Sequence, residues 1–316
     1  MVNRIIYASE VDASMDGFTF DNFTIKIDYA DKLKHVQKSF EGSNKSYWDF
    51  ACERFLRSIN MEYDSFFNNS IITDECQNPD AYVAVFEYPD VHDDIYVEYA
   101  RKCHHLVNCC RVFKASKIGF SQVFYFNEDG NPGGYTCYFP SAYVGGVNGD
   151  KFCLSESEKP EFAKFFEDIN SNISYTAKEL MGMDDAQSTS PLLKMFKIFH
   201  QSFSIRDVSI ATLLRTIIFE MLIEGNTELT YRISRSIAVL LGKDIDQADE
   251  IERKFKKLYN ARSQYVHAGK CIDMEHAKFA LETVCDLLKK LCSISDDMKT
   301  IQGKLHQGGF GSYPYP

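Results

Sequence analysis

An arginine and a histidine near the end of one predicted helix have the residue types that RNA cleavage requires. Arg262 and His267 lie within the segment YNARSQYVHAGK. Near pH 7 a histidine moves a proton to or from a 2′-hydroxyl or a leaving 5′-oxygen. A guanidinium holds a phosphate through paired hydrogen bonds and stabilises the extra negative charge of the transition state. Since this chemistry needs no metal ion, we expect neither a metal nor a cofactor.

The spacing of this pair leaves open how the two side chains meet. Five positions in a regular α-helix correspond to about 140° around its axis, so Arg262 and His267 do not share a helix face. Either the last turn loosens before Gly269, or a second copy of the chain completes the site across a dimer interface. On spacing alone, a structural histidine beside a surface arginine is the favoured interpretation, and the pattern by itself carries almost no functional signal.

Four neighbouring residues are candidate supports for the pair. Tyr259 and Tyr265 either hydrogen-bond a phosphate or pack, and Ser263 has a hydroxyl that can bind a phosphate or orient the histidine. Glu220 lies within an apolar helix, where a carboxylate needs a partner. We expect Glu220 to pair with an arginine of the next helix or to position Arg262.

Basic residues near the motif are candidate contacts for an RNA backbone. Arg232 and Arg235 either bind RNA phosphates or stabilise the bundle, and Glu228 precedes Arg232 at the spacing of a helical ion pair. Lys254 and Lys257 belong to the run RKFKK just ahead of the motif. This run is either a solvated helix face or a track for RNA phosphates.

Long amphipathic helices are predicted to position all of these residues. The apolar periodicity indicates helices at 160–173, 192–204, 205–225, 226–242, 246–269 and 273–294. Thr227 and Asp273 are the expected N-caps of two helices, and Gly242 and Gly269 are expected helix ends. The short loops between the helices predict an all-α bundle over residues 190–300.

The preceding residues, 1–185, predict a mixed α and β domain, so the expected fold is an α+β domain followed by a helical bundle. The predicted elements are strands at 20–30 and 81–88 (ended by Pro89), helices at 46–59 and 93–114, and a hairpin over 119–140. The polar segment 181–191 is the candidate linker. Residues 301–316 are expected to form a flexible tail rich in Gly, Tyr and Pro.

The net charge of −10 is divided unevenly between the two parts. Residues 1–189 carry a net charge of −13, whereas residues 190–300 carry +2. An acidic chain argues against nucleic-acid binding, but here the acidity belongs to the first part. We expect the acidic domain to repel RNA or to cover a basic cleft of the helical domain.

Ten scattered cysteines form no CxxC pair, and no apolar run is long enough for a membrane span or a signal peptide. We therefore expect reduced thiols in a cytoplasmic protein that does not enter a membrane. The segment CHHLVNCC at 103–110 contains zinc-type ligands, but their spacing on one helix fits no familiar zinc site.

The segment from about residue 205 to 295 resembles the HEPN superfamily (higher eukaryotes and prokaryotes nucleotide-binding), and especially its ApeA-like branch of bacterial anti-phage proteins. Three motifs carry the resemblance, namely FEMLIEG at 219–225, ELTYRISRSIAVLLG at 228–242 and LYNARSQYVHAG at 258–269. They follow the family's order on predicted helices, and the resembling segment covers about 90 of the 316 residues.

The resemblance implies a four-to-five-helix bundle that dimerises and a metal-independent endoribonuclease with Arg262 and His267 as the catalytic pair. It also implies a toxin or abortive-infection role and an RNA substrate such as tRNA. From the charge contrast between the two parts, we expect the N-terminal domain to sense a phage-derived trigger or to restrain the nuclease until infection. The residue after the arginine is often Asn or Asp in the family, and here it is Ser263. Some members lack the motif and only bind, and some toxin relatives are silenced by nucleotide transfer to a tyrosine near the motif, where this chain has Tyr265.

Overall fold

The residues that can be described belong to two compact units, each with its own core. The computed structural model describes residues 2–9, 11–29, 82–90, 105–106, 108–116, 118–126, 132–133, 151–172, 190–203, 205–223 and 228–307. The second unit contains residues 108–115 and the chain from residue 167 onwards. Residues 108–115 lie inside the predicted first domain, so the observed division differs there. The predicted helix at 46–59 and most of the predicted linker lie outside the described residues.

An antiparallel sheet forms the centre of the first unit. The described strands are β1 (Val2–Ser9), β2 (Thr19–Phe20), β3 (Phe23–Tyr29), β4 (Tyr82–Asp90), β5 (Gly119–Phe126) and β6 (Pro132–Gly133). Their order in the sheet is β2-β3-β4-β1-β5-β6, with every neighbouring pair antiparallel. The strands predicted at 20–30 and 81–88 are present, although β4 continues through Pro89, and the sequence analysis does not predict β1.

Aromatic side chains fill the core of this first unit. The ring of Phe20, from β2, meets the rings of Phe162 and Phe166 edge to face, with centroids 5.0 and 5.1 Å apart. Both partners belong to helix α1 (Glu158–Asn172), and all three rings are buried. The layout is therefore an α+β unit followed along the chain by helices, as expected at this coarse level.

The second unit is built from helices that pack side by side. These are α2 (Pro191–Ser202), α3 (Val208–Glu220), α4 (Leu229–Leu241), α5 (Ile245–Ala268), α6 (Met274–Ser293) and α7 (Met298–Gln307). Helix α3 packs against α2, α5 and α6, and α4 packs along α5. None of the helices in the described part of the chain is both long enough and apolar enough to cross a membrane.

Polar caps fix where most of these helices begin. The side chains of Ser190, Asp207, Asp244 and Asp273 each accept a hydrogen bond from the backbone N–H three residues later. The predicted cap of α4 is different, because Glu228 takes that position in a left-handed backbone conformation and its side chain forms no capping bond.

Helix α7 corrects the expectation of a flexible tail over 301–316. Residues up to 307 are helical, and Ile301 and Leu305, one turn apart, are buried. Asp297 accepts a hydrogen bond of 2.7 Å from the backbone N–H of Thr300, which starts the helix. Two apolar positions on a short helix give a weak periodic signal, so the pattern is easily missed. Residues 308–316 lie outside the described residues.

Gly242 ends α4 because the connection to α5 leaves no room for a side chain. A Cβ at this position would lie 2.7 Å from both the carbonyl oxygen of Ala238 and the Cβ of Ala248. The backbone φ of Gly242 is −68°, so space is the constraint, and backbone strain is not. This close approach explains the glycine in the Leu-Leu-Gly end of α4.

Replacing Gly242 with alanine is expected to lower the free energy of unfolding by about 1–3 kcal/mol, because α4 and α5 must move apart. Urea unfolding followed by circular dichroism measures this change. Gly303→Ala is the matched control, since a Cβ there meets nothing within 4 Å inside α7; we expect no loss of stability from it. Equal destabilisation by the two substitutions would contradict the steric explanation.

Candidate active site at the end of helix α5

An ion pair between two helices holds Arg262 in place. Its Nη2 lies 3.1 Å from Oε1 of Glu220, the last residue of α3. Both side chains are about one quarter exposed, at 25% for Arg262 and 28% for Glu220. The sequence analysis expects Glu220 either to pair with an arginine of the next helix or to position Arg262, and the structure shows the contact with Arg262. The pair is therefore accessible to a ligand while being fixed from a second helix.

Tyr259 strengthens this arrangement through the same carboxylate oxygen. Its hydroxyl donates a hydrogen bond of 2.9 Å to Oε1 of Glu220. The guanidinium carbon of Arg262 lies 5.4 Å from the centroid of the Tyr259 ring, within range of a cation–π interaction. The Tyr259 ring in turn stacks on Phe255 one turn earlier, with centroids 6.4 Å apart. The guanidinium is thus positioned by one charge and one aromatic ring.

Arg262 keeps hydrogen-bonding capacity beyond this ion pair. Glu220 contacts Nη2 alone, whereas Nε is enclosed and has no hydrogen-bond partner. A guanidinium has five N–H donors in a planar fork, which suits the two oxygens of a phosphate. The remaining donors therefore provide the chemistry that phosphate binding requires.

The Tyr259 hydroxyl remains a donor at neutral pH. Burial raises the pKa of this hydroxyl to about 12, and the hydrogen bond and negative charge of Glu220 act in the same direction. The positive charge of Arg262 opposes this change. Since the folded-state pKa exceeds the ordinary value near 10, the protonated hydroxyl stabilises the fold. That stabilisation is fully present below about pH 10 and is lost as the pH rises towards 12.

Tyr259→Phe is accordingly expected to lower the free energy of unfolding by about 1–3 kcal/mol at pH 8, since a hydrogen bond to a charged group is lost. The difference from the unmodified protein should shrink above pH 10. Urea unfolding at pH 8 and pH 11 tests this. Tyr231→Phe is the control, because the Tyr231 ring is 50% exposed and its hydroxyl bonds to no described residue. A difference that is the same at both pH values would contradict the assignment.

His267 is exposed in the last turn of α5. The helix is regular through Ala268 and is closed by Gly269, whose φ is 67° and whose N–H donates to the carbonyl oxygen of Tyr265 at 2.9 Å. Of the two alternatives for bringing the pair together, a loosened last turn before Gly269 is not observed. Arg262 and His267 remain about 140° apart around the helix axis and about 7.5 Å apart along it.

Two other predicted supports lie beside the motif without joining it. Ser263 and Tyr265 are both half-buried, and neither side chain hydrogen-bonds to another described residue. The structure thus brings Tyr259, Glu220 and Arg262 together, and it leaves Ser263, Tyr265 and His267 outside that cluster.

The basic residues of α5 lie on its exposed surface. Lys254 forms an ion pair of 2.7 Å with Glu250, one turn earlier, and both side chains are about half exposed. Lys257 is exposed and forms no ion pair with a described residue. Such exposed charges contribute little to stability, so they remain available to a polyanion.

The two predicted arginines of α4 lie in a separate cleft. Nη1 of Arg235 is 3.9 Å from Oε2 of Glu252 on α5, a partner that the sequence analysis does not identify. Arg232 lines the same cleft but forms no ion pair with Glu228, so the pairing expected at that spacing is absent. Glu228 is the N-cap of α4 and adopts a left-handed backbone conformation.

Buried thiols in the second unit show no sign of metal binding. Cys109 and Cys110 are fully buried, and burial raises the pKa of both thiols. Among the residues that the structure describes, no group of three His, Cys, Asp or Glu side chains is arranged to hold a metal ion. Cys103 and His104 lie outside the described residues.

No protein-family model, curated protein or solved structure matches this chain. The functional conclusion therefore depends on the residues of the site and their geometry.

Proposed function

We propose that this protein is a metal-independent endoribonuclease of the HEPN type, in its ApeA-like branch, that acts in bacterial anti-phage defence or as a toxin. The observation that carries the proposal is the positioned guanidinium of Arg262, fixed by Glu220 and Tyr259 five residues before an exposed His267. An arginine held in this way, with unpaired donors and partial exposure, suits a phosphate better than it suits a purely structural role.

The proposed reaction is an internal transesterification of RNA. The 2′-oxygen attacks the adjacent phosphorus and loses its proton, and the bond from phosphorus to the 5′-oxygen breaks. His267 transfers a proton in this step, and Arg262 stabilises the additional negative charge on the phosphoryl oxygens. The products are a 2′,3′-cyclic phosphate and a 5′-hydroxyl, so the reaction consumes no water and involves no metal.

A homodimer is part of this proposal because one chain does not bring the pair together. With about 140° between them on a regular helix, Arg262 and His267 of one copy point to different sides. A second copy that supplies His267 opposite Arg262 resolves this. Helix α3, which carries Glu220, also exposes Ile210 and Ile217 at 43% and 39%, two turns apart on one face. We propose this face as the one that the second copy covers.

RNA contacts outside the catalytic pair are assigned to Lys254 and Lys257. These lysines are one turn apart on the exposed surface of the helix that carries the motif. Their charges would neutralise phosphates along the strand and make binding depend on salt. Ser263 and Tyr265, which bond to no described residue, are assigned to orienting His267 or the phosphate.

The first unit is proposed as the sensing or regulatory part, responding to a phage-derived trigger. The support is the charge contrast, since residues 1–189 carry a net charge of −13 and would repel RNA.

A non-catalytic RNA-binding or dimerisation module is the competing function. The ion pair between Arg262 and Glu220 favours it, because that contact alone gives Arg262 a structural role. The two functions differ in their dependence on His267, which is exposed and bonds to no described residue. Only the enzyme requires this imidazole to transfer a proton.

A phage-plaquing assay tests the proposed function in cells. Bacteria that express the unmodified chain should reduce plaque formation, and His267→Ala should abolish the protection at equal protein abundance. Protection that survives His267→Ala would support the binding module instead. Lys270→Ala, an exposed substitution three residues further along, serves as the control that should protect normally.

A further inference from the structure

A fully buried arginine lies in the interior of the helical unit. Arg215, on α3, has an exposed fraction of 0%, and its Nε donates a hydrogen bond of 3.3 Å to the hydroxyl oxygen of Ser202, the last residue of α2. Nη1 and Nη2 are enclosed as well, and neither bonds to another group in the described part of the chain. Most of the N–H donors of this guanidinium therefore lack an acceptor.

The hydroxyl groups around Arg215 do not compensate its charge. The Ser202 hydroxyl donates a hydrogen bond of 2.7 Å to the carbonyl oxygen of Phe199. Thr212 and Thr216, which are buried on α3, donate to carbonyl oxygens of their own helix at 2.7 and 2.8 Å. These groups satisfy the backbone and carry no negative charge, so the guanidinium charge remains unbalanced.

Carboxylates of the neighbouring helices do not reach Arg215 either. Helix α2 contains no acidic residue, and Glu220 of α3 pairs with Arg262. The acidic residues of α6 are all exposed, namely Glu275, Glu282 and Asp286. Cys285 of α6 interacts with Arg215, but burial raises the pKa of that thiol to about 12, so the thiol is neutral near pH 7.

A second buried arginine faces the same aromatic ring. The guanidinium carbons of Arg111 and Arg215 lie 4.7 and 5.7 Å from the centroid of the Phe203 ring, and all three side chains are buried. Arg111 has partners of its own, among them Nδ1 of His200 at 3.3 Å. Both guanidinium groups stay charged near pH 7. The interior of this unit thus holds two positive charges, which repel each other strongly in a low-dielectric core.

We propose that the unpartnered Nη1 and Nη2 of Arg215 bind a small inorganic anion, of the size of chloride, inside the helical unit. Two N–H groups of a guanidinium fork converge on one acceptor in the geometry that holds a compact anion. Water also accepts such hydrogen bonds, but only an anion cancels the charge as well. Because the side chain is fully enclosed, the occupant is a compact ion and not an RNA phosphate.

This anion site is distinct from the candidate active site. Arg215 precedes Glu220 by five residues on α3, which is about 7.5 Å along a regular helix. Arg215 is buried, whereas Arg262 is one quarter exposed. The assignment goes beyond the proposed ribonuclease function and does not depend on it.

Thermal unfolding of the full chain at 1 to 100 mM sodium chloride, with sodium gluconate keeping the ionic strength constant, tests the proposal. An anion that binds only the folded state raises the melting temperature, by about 2–4 °C for each tenfold increase above its dissociation constant. We expect this rise with chloride, and we expect bromide to act in the same way. Gluconate is too large for an enclosed site and should not substitute for either ion.

Two arginine variants assign the effect to its site. Arg215→Met should fold and should lose the dependence of its melting temperature on chloride, since methionine occupies apolar space without a charge. Arg253→Met is the matched control, because it removes the same charge from an exposed position of α5. We expect Arg253→Met to keep the full chloride dependence of the unmodified chain.

Crystals of the unmodified chain grown in sodium bromide provide a measurement that does not require the variants to fold. The expected result is an anomalous bromide peak at hydrogen-bond distance from Nη1 or Nη2 of Arg215. The inference is overturned if the melting temperature is the same at 1 and 100 mM chloride, or if Arg215→Met retains the chloride dependence. A water molecule or a carboxylate of the chain at these two atoms in the bromide crystals would also overturn it.

Discussion

Alanine at His267 is expected to lower the rate of RNA cleavage by about 10²- to 10⁴-fold, because proton transfer by a positioned side chain contributes that much to catalysis. Arg262→Ala is expected to cost about 10²- to 10³-fold, the range for removing one group that stabilises transition-state charge. Single-turnover cleavage of a labelled RNA measures both rates. Both substitutions slow the chemical step, so saturating concentrations of RNA should not restore the cleavage rate.

The structure separates these catalytic losses from unfolding. His267 is exposed and bonds to no described residue, so His267→Ala should keep the melting temperature of the unmodified chain. Arg262→Lys is the more informative companion to Arg262→Ala, because lysine keeps the charge beside Glu220 but lacks the planar fork. We expect Arg262→Lys to fold normally and to remain strongly impaired. Full activity in that variant would mean that bidentate phosphate binding is not required.

Mixing two inactive variants is expected to restore activity. If Arg262 of one copy works with His267 of its partner, a dimer of one Arg262→Ala chain and one His267→Ala chain contains one complete site. Random pairing makes about half of the dimers mixed, so the mixture should reach about one quarter of the unmodified rate. The two variants are unfolded together and refolded together before the cleavage assay, which allows the chains to exchange.

Separate refolding followed by mixing is the control for that experiment, because slow exchange keeps the two inactive dimers apart. Recovery only after joint refolding would show that the site is shared between copies. No recovery, with mixed dimers demonstrated by differently tagged chains, would place both residues in one chain and exclude the shared site. Ile217→Asp, on the exposed face of α3, should prevent both dimer formation and recovery.

Most helices were predicted from the sequence because apolar periodicity, capping residues and terminal glycines act within a few residues of one another. Asp273, the predicted cap of α6, and Gly269, the predicted end of α5, both act through backbone hydrogen bonds within a few residues. Gly242 was predicted as a helix end, but its reason, the close approach of Ala248, is a tertiary contact. The ends at Gly242 and Gly269 and the cap at Asp273 were thus predictable, whereas the cap at Glu228 and the packing between the helices were not.

For contacts between helices, the sequence indicated that a partner is needed but did not identify which residue it is. A carboxylate within an apolar helix indicates that Glu220 needs a partner, yet only the packing of α3 on α5 selects Arg262 and Tyr259. The spacing of Glu228 and Arg232 predicts an ion pair that the structure does not contain, and Glu228 is instead the N-cap of α4 in a left-handed backbone conformation. Backbone conformation at a single residue has no strong sequence signal when that residue is not glycine.

The ion pair of Arg262 with Glu220 has a consequence for catalysis. A carboxylate that contacts Nη2 orients the guanidinium and also reduces its net charge towards a phosphate. Orientation requires Glu220 to remain in contact with Nη2 while Nη1 meets the substrate. Glu220 is therefore best described as a positioning residue for Arg262, with Tyr259 as the donor that fixes its carboxylate.

The most direct measurement is the cleavage of total RNA by the purified full chain in excess EDTA, with the ends of the products identified. The account predicts cleavage by the unmodified chain, products with 2′,3′-cyclic phosphate and 5′-hydroxyl ends, and loss of these products in His267→Ala. Cleavage that His267→Ala retains, or that appears only after a divalent metal is added, would contradict it.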